Sequence, residues 1–455
     1  MSMFTWEKVD PAPGEAVGPR QRLSWGKTAG LGAQHVVAMF GATFVFPIVM
    51  GLDPNLAIMF SGICTILFLL IVNNAVPSYL GTSASFVASV AAIRASDPAG
   101  DSADVTGAIM IAGIVLALVG VLIHFAGSAW IHKILPPAVT GAVVMLIGFN
   151  LAPVVASIYW PQDQWIALLT ATFMVMAAVM MPGFWSRIAV FLALIFGYVL
   201  SWIADGLFGQ INSPNPNNNM TVEDHDRISW SAVKAADWIG LPSGKLADGV
   251  DVVHGPSFSL TFILLVLPGV IALIAENTGH VKAVAEMTGE DLDPYMGRAI
   301  GADGFATALS SAFGGSPTTT YAENIGVMGA TRVYSTAAYY VAAVVAILLG
   351  LCPKFGAIVA ATPGGVLGGI TVVLYGMIGL IGAKIWVENG IDFGEPRNLV
   401  GLAGGLIAGI GGVTLEITDD FELSGIALGT ILVIAYFHLV GLKRGAGTGK
   451  VTRAL

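Results

Sequence analysis

The sequence predicts an all-α polytopic membrane protein. It has fourteen transmembrane segments in two inverted repeats of seven, and the third span of each repeat (spans 3 and 10) is a half-helix preceded by a short β-strand. Composition, the distribution of Lys and Arg, and two interrupted segments at matching places lead to it. Apolar side chains make up 55% of the 455 residues, and 57 glycines bring the sum to roughly two-thirds, against ~45–50% for a soluble domain. Charged residues are 11%, less than half the usual ~25%. With a mean hydropathy of +0.80, the chain is excluded as a soluble globular enzyme, a disordered protein or a nucleic-acid binder. The lipid bilayer is its expected surroundings. The net charge of −9 says little about partners, because most charge lies in loops.

Apolar segments run over residues 28–50, 55–72, 105–127, 137–156, 163–181, 187–208, 257–280, 294–313, 335–350, 363–383, 397–412 and 421–440. A helix crossing the bilayer core needs ~20 apolar residues, so each is read as a crossing. Two further segments, about 76–94 and 317–331, are shorter. Each starts with a proline and a few β-prone or hydroxyl residues, then turns helical. They complete fourteen crossings, seven on each side of the polar stretch 209–256. With the N-terminus in the cytoplasm, fifteen of the twenty Lys and Arg residues fall inside, and only Arg94, Arg227, Lys234, Lys245 and Lys354 fall outside. That is the usual cytoplasmic excess of positive charge, and dropping either short segment degrades it. Both termini are therefore expected in the cytoplasm. The first 27 residues hold no apolar h-region, so no cleaved signal peptide is expected. Cys64 and Cys352 fall in or beside apolar spans and are expected to pack as small hydrophobes. No metal-ligand cluster of Cys and His is visible, and no cofactor is implied.

An odd number of spans per half gives the halves opposite orientation, a hallmark of secondary transporters. The short segments are the third crossing of each half. Pro77 precedes Ser83, and Pro317 precedes Glu323, by six residues. Two spans later each half has a helix opening on proline, at Leu135-Pro136-Pro137-Ala138 and Ala361-Thr362-Pro363-Gly364, where the missing N–H is not needed. Residues 76–81 and 317–321 read as extended pieces, with helices beginning near Ser83 and Glu323. Extended backbone at that depth must be paired, so the two strands are expected to pair with each other. Each half-helix then presents free N–H groups and roughly half a positive charge at mid-membrane. Such ends suit the carbonyl oxygens of a polar solute, or an anion. Thr82, Ser83 and Ser85 are N-cap candidates, a role compatible with touching a substrate.

Of 29 acidic residues, three lie well inside a span: Glu276, Asp303 and Glu323. Acids at that depth are costly and functional by default; the alternative for each is a paired, architectural acid. Glu276 lies in LIAENTGH, with His280 four residues on and hence on the same helix face. Glu323 opens the second broken helix in TYAENIG, where the dipole favours a carboxylate. Asp303 lies in GADGFAT on the span between them. Ionised carboxylates only accept hydrogen bonds. Combined with helix N–H donors, they describe a ligand carrying both N–H groups and carbonyls, the pattern of an oxo-pyrimidine or oxo-purine base. A simple anion fits poorly, because a carboxylate at a helix N-terminus cancels the field it needs. A carboxylate here can also carry a coupling proton, with His280 either as relay or as a hydrogen-bonded core histidine. In the first span Gln34-His35 follows closely on Gly32, and this polar pair needs buried partners. His124, His132 and His438 lie at or near span ends and are given no role.

Four stretches, in order along the chain, resemble the nucleobase–ascorbate transporters, a nucleobase:cation symporter family. ENIGVMGATR (323–332) resembles the family signature of an acid or amide, Asn, any residue, Gly, four residues, Thr and usually a base. Gln34-His35 is similar to the family's pair in the first span, AENTGH (275–280) to its eighth-span motif, and GADGFAT (301–307) to its ninth-span motif with the acid at Asp303. The resemblance covers about 24–440, and its wording is most similar to the bacterial uracil and pyrimidine permease branch. Purine transporters of the family more often carry Gln where Glu323 stands.

The resemblance implies a core domain of spans 1–4 (28–134) and 8–11 (257–352), and a gate domain of spans 5–7 (135–208) and 12–14 (353–440), through which such proteins commonly dimerise. Residues 1–27 and 441–455 are then cytoplasmic tails, the second basic, and 209–256 an extracellular connector in a bacterial inner membrane. Glu276 and Glu323 would bind the base. Ala84 and Ala322 would offer backbone N–H groups to its carbonyls, and Tyr321, Ser83 and Phe86 would line the site. Glu276, His280 and Asp303 would form the proton-linked network, joined by Gln34, His35 and Asn324. Many uracil permeases carry Phe where Ala84 stands; the smaller residue leaves more room at the ring and opens the range to thymine or a purine. The expected activity is proton-coupled import of uracil or a related pyrimidine, as a homodimer. Sodium is the alternative coupling ion, and no distinct cation cage is visible for it. A xanthine or uric acid permease is the alternative within the family. An anion exchanger of similar architecture should lack the acid at 323 and place a positive residue near the half-helices. An enzyme is not expected, since no catalytic set lies in the spans.

Overall fold

Seven helices among the described residues are long and apolar enough to cross a bilayer. An eighth arises if Thr336–Gly350 and Pro353–Ala360, which meet at 83°, form one broken span. This computed structural model describes residues 4–12, 15–96, 99–127, 129–215, 220–418 and 421–442. The first half runs α1 (Trp25–Met50), α2 (Pro54–Ile71), β1 (Leu80–Thr82), α3 (Val87–Ala95), α4 (Ser102–Ala126), α5 (Pro137–Phe149), α6 (Gln164–Met180) and α7 (Ala189–Phe208). A hairpin of β2 (Ile211–Asn215) and β3 (Thr221–His225) follows. The second half runs α8 (Leu260–Val266), α9 (Pro268–Thr288), α10 (Met296–Ser311), β4 (Thr318–Thr320), α11 (Ala322–Thr331), α12 (Thr336–Gly350), α13 (Pro353–Ala360), α14 (Gly364–Glu388) and α15 (Pro396–Ile410). A second hairpin, β5 (Thr414–Thr418) with β6 (Phe421–Ser424), leads into α16 (Gly425–Leu442). The basic positions Lys443, Arg444, Lys450 and Arg453 lie outside the described residues.

The chain forms two compact units, Met1–Ser128 with Ala152–Leu374, and Ala129–Leu151 with Tyr375–Leu455. In the second unit α15 and α16 meet through Gly405, Gly409 and Gly429, and the Trp386 indole donates to the Ala138 carbonyl at 2.8 Å. The first unit holds every candidate site residue named above. Small residues let its helices approach closely, as membrane packing favours. On α4 and α10 the glycines Gly113, Gly120, Gly297 and Gly304 face the partner helix's backbone. A Cβ at Gly120 would sit 2.2 Å from the Gly301 nitrogen. Adding a single methylene to a packed core costs about 1–3 kcal/mol, and here the obstacle is backbone, which cannot rotate away. Gly120→Leu is therefore expected to abolish the monodisperse peak of detergent-extracted protein on size exclusion. Gly206→Leu on α7, where a Cβ meets nothing within 4 Å, should leave it intact.

Two ion-pair clamps fix the polar stretch between the halves. Arg227 Nε reaches Asp163 at 2.7 Å and its Nη1 reaches Asp205 at 3.0 Å, holding the start of α6 beside the end of α7. Asp248 accepts from Arg94 at 2.7 Å and from the Ser102 hydroxyl at 2.6 Å, joining the end of α3 to the start of α4. Burial alone would raise the Asp248 carboxyl; the Ser102 hydroxyl and the Arg94 guanidinium outweigh it and hold it below the usual carboxylate range. At the chain's start, Val17 pairs in parallel with Val333, and the Trp6 indole donates to Thr336 Oγ1 at 2.8 Å.

Candidate functional site

The two extended pieces meet as one antiparallel pair. Leu80 faces Thr320, Gly81 faces Thr319, and Thr82 faces Thr318. Ser83 N donates to the Pro317 carbonyl at 2.9 Å and Tyr321 N to the Tyr79 carbonyl at 3.0 Å. A two-stranded ribbon leaves outer edges that apolar surroundings do not tolerate. Each edge is met by a threonine on the preceding helix. Leu80 N donates to Thr65 Oγ1 of α2 at 2.9 Å, and Thr318 N donates to Thr307 Oγ1 of α10 at 3.0 Å. The first strand residue of each half is thus capped in the same manner. Sequence reading missed both threonines, because a threonine in an apolar helix carries no signal of an edge beyond it.

Helical structure starts immediately after each strand. Ser83 caps a short 3-10 turn, Ala84–Phe86, by accepting from Ser85 N at 3.2 Å, and α3 follows. On the other side Tyr321 precedes α11 without a side-chain cap. The Tyr321 hydroxyl instead donates to the Thr82 carbonyl at 2.8 Å and accepts from Thr43 Oγ1 at 3.1 Å. This ties α1, β1 and the start of α11 together. Ala84 is half-buried and Ala322 exposed, so both half-helix starts are accessible. Phe86 is fully buried, its ring packed on Gly269 of α9.

The three acids converge beside these starts. Glu276 on α9 and Glu323 in the first turn of α11 are half-buried, while Asp303 on α10 is fully buried. The side chains of Thr319, Asp303 and Glu323 lie near the Glu276 carboxyl. Asp303 accepts from Asn277 Nδ2 at 2.7 Å and from Thr318 Oγ1 at 3.2 Å. Asn277 Oδ1 accepts from Thr320 Oγ1 at 3.1 Å, and Thr320 Oγ1 lies 2.7 Å from His280 Nδ1. The chemistry of this chain follows from counting protons. The Asn277 amide is oriented by the carboxylate, so its oxygen turns to Thr320. A hydroxyl has one proton to give, and Thr320 gives it to Asn277. His280 must then donate from Nδ1, which leaves Nε2 as the basic nitrogen. Asn277 and Thr320, which link Asp303 to His280, were not singled out from the sequence; their contact depends on how α9 packs against β4.

Asn324 and His35 meet between α11 and α1. Asn324 Nδ2 donates to the His35 carbonyl at 2.9 Å and lies 3.2 Å from His35 Nδ1, and the His35 ring packs on Tyr339 at 4.3 Å between centroids. Both side chains are buried, and together they anchor α11 to α1. Gln34, one residue earlier, is half-buried. Among the described residues, no group of three or more His, Cys, Asp or Glu side chains is arranged to hold a metal ion.

The Xan_ur_permease family model, described as a permease family, matches residues 26–418. The chain belongs to this permease family, that of the nucleobase–ascorbate transporters. It is accordingly a multi-pass membrane transporter and not an enzyme. Among its relatives, the putative pyrimidine permease RutG of Escherichia coli (strain K12) is 41% identical, over 97% of each chain. The uracil permease of Bacillus caldolyticus is 34% identical over 91% of this chain and 92% of its own. The E. coli (strain K12) uracil permease is 33% identical over 94% and 95%. Two solved structures share the fold. The transmembrane domain of a cyanobacterial bicarbonate transporter, BicA, superposes with TM-score 0.56 at 16% identity over 94% of this chain and 98% of its own. The murine anion transporter Slc26a9, in its inward-facing state, superposes with TM-score 0.63 at 12% identity over 94% and 70%.

Proposed function

We propose that this permease is a proton-coupled importer of uracil or a closely related pyrimidine base, working by alternating access. The observation that carries it is the convergence of two accessible half-helix starts with two half-buried carboxylates, Glu276 and Glu323. The N–H groups at Ala84 and Ala322 face the base carbonyls, and the carboxylates accept from its ring N–H groups. The identities to uracil and pyrimidine permeases over nearly the whole chain support a pyrimidine. In this reading Glu276 or His280 takes a proton from outside, the base bridges the half-helices, and the core moves relative to the gate to release both inside. The hydrogen-bonded chain from Asp303 through Asn277 and Thr320 supports His280 Nε2 as the proton acceptor. Sodium remains the alternative coupling ion.

The proposed frame is fourteen spans in two inverted repeats, with both termini in the cytoplasm of a bacterial inner membrane and a homodimer formed through the gate. The matched threonine caps at Thr65 and Thr307 favour the repeat. A xanthine or uric acid permease is the second reading, favoured by the small residue at Ala84. Anion exchange, despite the shared fold, is disfavoured by Glu323 in the first turn of α11, where it competes for the same N–H groups. Equilibrium binding of labelled uracil to the purified protein, with xanthine and bicarbonate as competitors, tests the assignment. Uracil should bind and bicarbonate should not compete; bicarbonate binding without uracil binding overturns it. Ala84→Phe is expected to narrow competition towards uracil, lowering that of thymine and xanthine. Unchanged competition ratios would show that position 84 does not face the ring.

A further inference from the structure

The accessible face of α9 carries Glu276 and His280, which are half-buried, and Gly279, Lys282, Glu286 and Met287, which are exposed. The opposite face, with Asn277, Val281 and Val284, is buried. Gly279 stands out on the accessible face. A glycine inside a helix costs about 1 kcal/mol relative to alanine; several in this unit serve close backbone approach, as at Gly62, Gly113 and Gly120, whereas Gly26, Gly30 and Gly206, like Gly279, have open space, and Gly279 differs from these in lying one turn from Glu276 on α9. At Gly279 a Cβ would meet nothing within 4 Å. Its φ is not positive either, so neither packing nor backbone conformation demands glycine. What the missing side chain leaves is accessible space one helical turn from the Glu276 carboxyl, beside His280, whose Nδ1 is tied to Thr320.

We propose that Gly279 is a specificity-determining residue, whose open space receives the ring substituent or second ring of the base held by Glu276. This rests on the nucleobase reading above and extends it to substrate range. A base with a methyl group or a fused ring then fits as well as a bare pyrimidine, and a side chain at 279 would exclude it. Fitting or rejecting one methylene-sized group is worth ~10–200-fold in discrimination.

The test is a competition series on Gly279→Ala and Gly279→Val, with labelled uracil and with thymine and xanthine as competitors. In Gly279→Val, thymine and xanthine should lose at least about tenfold in potency relative to unlabelled uracil, with Gly279→Ala in between. Unchanged ratios, or equal losses for uracil and its competitors, overturn the proposal. A second measurement follows alkylation of Gly279→Cys by a polar maleimide, in a Cys64→Ala, Cys352→Ala background. Saturating base should slow it; lack of protection by uracil, thymine and xanthine alike overturns the assignment. If xanthine protects while uracil neither binds nor protects, the pyrimidine reading fails and the role of Gly279 stands.

Discussion

Glu323→Gln is expected to lower uracil uptake by about 10–100-fold at equal protein level. The carboxylate stands in the first turn of α11, accepts hydrogen bonds and donates none. Glutamine keeps the shape but replaces one acceptor by an N–H2 group that faces the N–H of the base. A hydrogen bond to a charged group is worth about 1.5–3 kcal/mol, which is the stated loss. The effect should appear in binding as well as in rate, since the proposed contact with the base is made in both. Initial uptake rates in vesicles, normalised to the folded protein on size exclusion, measure it. Unchanged uptake would remove Glu323 from the site.

Glu276→Gln is expected to have a larger effect, loss of accumulation altogether. Glu276 is proposed to face the base, and the side chains of Thr319, Asp303 and Glu323 lie near its carboxyl. It shares the accessible face of α9 with His280 one turn away. Removing its ability to ionise removes both a base ligand and a site for the coupling proton. Vesicles holding the variant should then take up no more base with an inward proton gradient than without one. Normal gradient-driven accumulation would move the coupling to His280 or Asp303.

Much of this site was legible from residue types alone. Proline followed by hydroxyl residues marked the two extended pieces, since proline cannot continue a helix and hydroxyls compete with its hydrogen bonds. Acids inside apolar spans marked Glu276, Asp303 and Glu323, because so few charges occur there. The connections between them were not legible. Thr65 and Thr307 acquire their role only once the strands pair, and the Asp303–Asn277–Thr320–His280 chain needs β4 to present Thr318 and Thr320 on one face to α9 and α10. Phe86, which the resemblance implies lines the site, is fully buried with its ring on Gly269, a packing that residue type alone does not show. Val17 sits in a polar segment, and its burial depends on a strand-like contact with Val333 far along the chain. Gly279 looked like any other of the 57 glycines until its surroundings were known.

The most direct measurement is uptake of radiolabelled uracil by liposomes holding the purified protein, under an imposed inward proton gradient. The expected result is accumulation above the outside concentration that a protonophore abolishes, with the order of competition by thymine, xanthine and uric acid reporting the size of the pocket. Absence of uracil uptake, alongside gradient-driven uptake of labelled xanthine, would contradict the pyrimidine assignment. Uracil accumulation indifferent to the protonophore would contradict proton coupling.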